Sequence, residues 1–191
     1  MIPGKDEKPL EDCTYCKGWD DFEGMGIACV CAWDWMERAP RVFMMDNFSE
    51  LAALVQHQAD QGQKIIGYNN QHFDDPLLAA NGIHVPTECS YDLLKEIWTA
   101  AGMPTEFCAD THKGYGLEAV AQANGVDITD KRHSSALAPK MYQEGKYGHV
   151  IDHCLTDVAM LVQLIETVVL RGGLIDPVTY RKLQVKSPLV Y

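Results

Sequence analysis

The chain has 191 residues, 47% of them hydrophobic, and a formal charge of −11 from 27 acidic and 16 basic side chains. That apolar content suffices for the core of one ordinary soluble domain; no apolar run approaches the roughly 18–20 residues of a membrane span, and no basic-then-apolar leader is present. The shortage of Lys and Arg argues against tight unaided binding to a nucleic-acid backbone, because phosphate neutralisation supplies most of such affinity. Small basic groupings occur at Lys131-Arg132-His133 and Arg181-Lys182. Acidity of this degree suits a metal-dependent enzyme with clustered carboxylates, and equally a protein that docks on a basic partner surface. The seven cysteines (Cys13, Cys16, Cys29, Cys31, Cys89, Cys108 and Cys154) are odd in number and scattered. They suit a reducing cytoplasm better than a secreted disulfide scaffold.

Residues 1–24 are polar and turn-rich and read as an irregular N-terminal segment, with one domain over residues 25–191. Residues 26–33 form the first convincing strand and residues 41–45 the second, joined by a hairpin over residues 34–40. Asn47 or Ser49 can cap a helix that carries Leu51, Leu54 and Val55 on one face and closes near Gly62. A short buried strand follows at residues 64–68, then a helix from about Asp74 to Asn81 that stops at Gly82. Residues 91–101 are apolar at helical spacing through Leu94, Ile97 and Trp98. Residues 116–124 give a short helix with Gly125 as its stop, and residues 134–145 give another. The longest helix is Tyr147–Arg171, with Val150, Ile151, Cys154, Val158, Leu161, Leu164, Ile165 and Val168 inward and Gly172-Gly173 at its end. Strands first and strand–helix alternation afterwards give an α/β order, ββαβα.

The segment Gly67-Tyr68-Asn69-Asn70-Gln71-His72-Phe73-Asp74-Asp75-Pro76-Leu77-Leu78 carries the chemistry. A strand ends, a helix opens with Pro near its start, and Asp74 sits at the junction, where a carboxylate can hold a metal ion in a cleft. A carboxylate at a helix N-terminus can equally serve the free backbone N–H groups there. Far along the chain, His153-Cys154-Leu155-Thr156-Asp157 places His153 and Asp157 at i and i+4, on one helix face. His153 can hold a water, or be an ordinary solvated helix histidine. Cys13-x-x-Cys16 with Cys29-x-Cys31 can be read as four zinc ligands, although Cys29 and Cys31 alternate on a strand and look like core residues. Trp33, Trp35, Trp98 and Tyr142 read as core rather than as base-stacking platforms.

Asn69-x-x-x-Phe73-Asp74 resembles the second motif of the DEDD 3′–5′ exonucleases, in the form carried by the proofreading domains of family B DNA polymerases. His153–Asp157 resembles the third motif, with His153 where the family has a water-orienting Tyr. More broadly, residues 15–176 resemble a phage-type group of predicted exonucleases. The likeness rests on Tyr15-Cys16-Lys17-Gly18-Trp19, Gly24-Met25-Gly26-Ile27, Tyr91-Asp92-Leu93-Leu94, Ala136-Leu137-Ala138-Pro139, Gln143-x-Gly145 and Val150-Ile151-Asp152-His153-Cys154-Leu155-Thr156-Asp157-Val158.

The resemblance implies a ribonuclease H-like (DEDD exonuclease) fold and a site of two Mg²⁺ or Mn²⁺ ions held by four carboxylates. Asp74 and Asp157 would be metal ligands, and Asn69 and Phe73 would touch the nucleic acid. The first motif, Asp-x-Glu on a central strand, has only Asp21-Phe22-Glu23 as a literal match, without room for its strand. The chain is therefore expected to begin just past that strand, with the first central strand missing or rebuilt. The reading that follows is a degenerate exonuclease-fold protein without nuclease activity. It would need no cofactor and would act as an acidic inhibitor of a host protein or nucleoprotein with a basic surface, for example as an anti-CRISPR, in the cytoplasm of a phage-infected bacterium. Two alternatives stay open: a working Mg²⁺- or Mn²⁺-dependent exonuclease acting on single-stranded DNA, and an accessory subunit or homodimer completed by a partner's strand.

Overall fold

The computed structural model describes residues 15–127 and 137–189. The first strand, β1 (Val30–Asp34), pairs antiparallel with β2 (Ala39–Phe43), Val30 opposite Phe43 and Asp34 opposite Ala39. The expected strand thus starts four residues late, because Gly26 to Cys29 run irregularly. Asp34 closes the hairpin by accepting the amides of Met36 and Glu37 at 3.0 and 3.1 Å.

Helix α1 (Phe48–Asp60) buries Leu51 and Val55, three-to-four residues apart as an inward stripe requires. Asn47 stands at its N-cap position but does not cap it. The side chain accepts from Met44 N at 2.7 Å and reaches Val42 O at 3.4 Å, closing the turn after β2 instead.

A parallel β–α–β unit comes next: β3 (Ile65–Gly67), α2 (Asp74–Ala80) and β4 (Ser90–Asp92), with Ile65 opposite Ser90 and Gly67 opposite Asp92. The helix expected from Tyr91 therefore begins two residues later, as α3 (Leu93–Ala100), and the residues before it form a strand. After α4 (Leu117–Ala123) and α5 (Ala138–Gln143) comes α6 (Tyr147–Arg171), which ends at Gly172 in the left-handed conformation, φ 67°. The first part of the helix expected over residues 134–145, and the Lys131-Arg132-His133 group, lie outside the described residues.

Residues 174–183 carry no strand pattern in the sequence, yet β5 (Leu174–Ile175) and β6 (Lys182–Leu183) form a small antiparallel hairpin. Buried Asp176 shapes its turn by accepting Val178 N and Thr179 Oγ1 at 2.8 and 2.7 Å, and Tyr115 Oη donates to it from the core.

The fold is mixed α/β with three separate two-stranded sheets, so β1 and β3 each lack a second ladder partner among the described residues. Two apolar clusters hold it. One packs α3, α4 and α6 with the C-terminal hairpin around Leu93, Ile97, Val120, Met160, Leu164 and Val168. The other joins β1, β2 and α1 with Ile65 of β3 and Leu78 of α2, around Phe43 and Leu51. Among the described residues, α6 is the one helix whose length and composition would allow a membrane crossing, where the sequence led us to expect none. Val150, Met160, Leu164, Ile165 and Val168 are buried, and 22% of its apolar window lies inside the protein.

Candidate functional site

The loop between β3 and α2 is built around three polar residues that sequence reasoning passed over. Asp92, at the end of the parallel β4, is 2% exposed and accepts the amides of Asn69 (2.9 Å), Gln71 (3.3 Å) and Leu94 (3.0 Å). Burial pushes its carboxyl upward, opposed by those backbone donors. Asn70 is also buried; its Nδ2 donates to Ser90 Oγ at 3.0 Å and lies 3.2 Å from Asp75 Oδ2, while Ser90 Oγ donates to that same oxygen at 2.6 Å. The one available signal was Asp92 directly before an apolar helical run, the usual place of an N-cap.

This network separates the paired acids. Asp75 is fastened to β4, and Asp74 is left at the solvent-accessible start of α2. Asp74 is open to water yet set amid dense surrounding protein. Desolvation, then the charge of Asp75 and the nearby Cys154, push its carboxyl up to about 6. Its surface accessibility means that water screens part of this effect.

Asn69 takes the left-handed conformation, φ 62°, and serves as the bend of the loop. Phe73 packs its ring against Phe22 (5.8 Å between centroids) and Trp19 (6.4 Å), which is itself 69% exposed. The segment carrying Asp21 and Glu23 thus lies beside the start of α2. Asp21 is committed to its own turn: its two oxygens accept Lys17 N at 2.7 Å and Gly24 N at 3.1 Å. The Lys17 amide holds that carboxyl below the usual range. Glu23 is exposed.

On α6, His153 Nε2 stands 3.7 Å from Asp157 Oδ2, too long for a hydrogen bond. The His153 side chain is nine-tenths buried, and neither ring nitrogen has a hydrogen-bond partner. It is not a solvated helix histidine. A polar ring buried in that state is costly.

Cys154 extends toward the start of β1. Its Sγ and those of Cys29 and Cys31 all lie within 4.8 Å of one another, and Cys31 Sγ is 4.0 Å from the α6 carbonyl of Ile151. Hydrogen bonds from Cys154 and Cys31 pull the Cys29 thiol down to about 4, while Cys154 is pushed up to about 11 and Cys31 strongly upward. Cys16, grouped with Cys29 and Cys31 by the sequence, is buried but not part of the cluster, and Cys13 lies outside the described residues.

A two-ion centre needs several carboxylate oxygens converging on one point. Among the described residues, the thiol trio is the only set of three or more His, Cys, Asp or Glu ligand atoms close enough to share an ion. No three of Asp74, Asp157, Asp21 and Glu23 bring their oxygens within 4.8 Å of one another. A separate cleft of about 480 Å³, lined by Lys64, Gln71, Asp92, Lys95 and Lys186, contains neither Asp74 nor Asp157.

A hairpin, a covering helix, a parallel β–α–β unit and a long closing helix define a mixed α/β domain. A family model described as the RNase_H superfamily matches residues 17–169, and the chain belongs to that superfamily. No curated protein shows significant sequence similarity to it.

Proposed function

We propose that the chain is an exonuclease-derived member of this superfamily, of DEDD ancestry and phage type, that works by binding rather than by hydrolysis. What supports this reading is that, among the described residues, no three carboxylates bring their oxygens within 4.8 Å of one another. Asp21, the nearest match to a first-motif aspartate, spends both oxygens on its own turn. Without a bridging carboxylate no ion pair is positioned to activate water and stabilise a leaving oxygen. A net charge of −11 and thin basic content direct such a protein toward a basic surface, and a nucleic-acid channel of a host nucleoprotein is the target class this charge fits. Inhibition of a CRISPR effector is one concrete form.

A second reading is favoured by His153 and Asp74. An orphaned buried imidazole and a carboxyl raised toward neutrality are what an active site waiting for its remaining parts would hold. Among the described residues the edges of β1 and β3 are open, and a further strand, from a partner or a second copy, could supply them there.

The test is a time course on 5′-labelled single-stranded DNA with Mg²⁺ and separately with Mn²⁺, beside an Asp74→Ala/Asp157→Ala double variant. Binding without hydrolysis requires intact substrate in both metals. Laddering from the 3′ end that the double variant lacks would replace the first reading with the second. Light scattering on the same sample distinguishes a monomer from a dimer that completes its own sheet.

A further inference from the structure

We propose that Cys29, Cys31 and Cys154 form a structural zinc site that clamps α6 to β1. This goes beyond the functional reading above and does not depend on it. A tetrahedral zinc ion with Zn–S bonds near 2.3 Å sets its sulfurs about 3.8 Å apart. The three Sγ atoms already lie within 4.8 Å of one another, so small side-chain rotations bring them to that spacing. They come from two elements. Cys31 lies in β1 and Cys29 immediately precedes that strand, and Cys154 meets both from α6. All three are partly buried, so the protein supplies three corners and leaves the fourth to water or a small anion. His153 is not that fourth corner, because its Nε2 stands toward Asp157.

The chemistry selects zinc over the hard cations expected of the superfamily. Thiolates are soft donors, and Mg²⁺ or Mn²⁺ prefers oxygen. Each thiol loses its proton on binding, so loading releases protons to solvent and leaves a centre of net charge −1 from three thiolates and Zn²⁺. The location explains what the ion does. The edge of β1 lacks a ladder partner among the described residues, and β1 rests on α6. A metal bridge between those two elements replaces part of the cohesion that a continuous sheet would provide.

The experiment uses the full chain, purified under reducing conditions without chelator from zinc-supplemented medium. Elemental analysis is expected to find about one zinc per chain. Co²⁺ exchanged into the protein should give thiolate-to-cobalt charge-transfer bands and intense tetrahedral d–d absorption. Cys154→Ser should weaken zinc binding by more than about 100-fold, beyond the loss typical of an outer-shell change, while Cys108→Ser at an exposed thiol leaves it unchanged. If Cys154→Ser fails to fold, the Co²⁺ spectrum of the unaltered chain decides. No retained zinc together with no thiolate bands overturns the proposal. So does unchanged binding in folded Cys154→Ser, or a disulfide joining two of the three cysteines in the reduced preparation.

Discussion

Asp92 Oδ1 accepts the amide of Asn69 at 2.9 Å and that of Leu94 at 3.0 Å, so one buried carboxylate both starts α3 and fixes the bend that delivers Asp74. The parallel pairing of β3 with β4 makes this possible, because it brings Gly67 opposite Asp92 at the carboxyl ends of both strands.

Asp92→Ala is expected to destabilise the fold by about 2–4 kcal/mol, combining a lost helix cap with amides left unsatisfied in the interior. Asp92→Asn keeps an acceptor oxygen and should cost less. Urea denaturation of the three proteins measures both differences.

Asp74 sets a pH dependence. Its carboxyl is raised to about 6 in the folded protein from an ordinary 3.8, so the folded state holds the proton more tightly than the unfolded chain. Stability from this group is therefore full below the unfolded value, falls as pH rises from about 4 to about 6, and stays low above that. Asp74→Asn should raise stability at pH 7.5 by up to about 1 kcal/mol after allowance for solvent screening, and leave it unchanged at pH 3.5. Thermal melts at the two pH values check this, and a gain at pH 3.5 equal to that at pH 7.5 would exclude the titration as its cause.

Gly173 lies against the C-terminal hairpin so closely that an added Cβ would collide with the carbonyl oxygen of Leu183. Neither backbone can give way without parting β5 from β6. Gly173→Ala should cost about 3 kcal/mol, the upper end of ordinary overpacking, and hydrogen exchange at the Leu174 and Leu183 amides should accelerate ahead of the rest of the fold.

The Trp19–Phe73 contact ties the segment before β1 to the start of α2. A double-mutant cycle of Trp19→Ala and Phe73→Ala should give a coupling of about 0.5–1.5 kcal/mol, as for other aromatic pairs. A coupling near zero would mean that the two rings do not hold this segment in place.

The sequence and the structure agree best where information is local. Helix α6 is legible over its full length because its apolar stripe is long and a glycine ends it in the left-handed conformation. Met160 escaped the inward set although it is 1% exposed, since methionine carries little weight in a stripe of branched residues. Strand β4 was absorbed into the helix that follows because three residues show no alternation of their own. Two-residue β5 and β6 are shorter still.

The site is legible only in part. Asp74 at its strand-to-helix junction follows from neighbouring residues, whereas the division of labour between Asp74 and Asp75 depends on Ser90, brought alongside by β-pairing. No spacing rule joins Cys29 and Cys31 to Cys154, because α6 reaches β1 only through tertiary packing. His153 looked exposed on its helix and is enclosed, which periodicity at a helix's polar margin does not reveal.

The contact of Cys31 with Ile151 spans 120 residues of chain. During synthesis at about 5–20 residues per second, the β1–β2 hairpin emerges roughly 6–24 s before the helix it rests on exists. For that interval the nascent chain presents β1 and the Cys29 and Cys31 thiols without the α6 face that covers them in the folded protein.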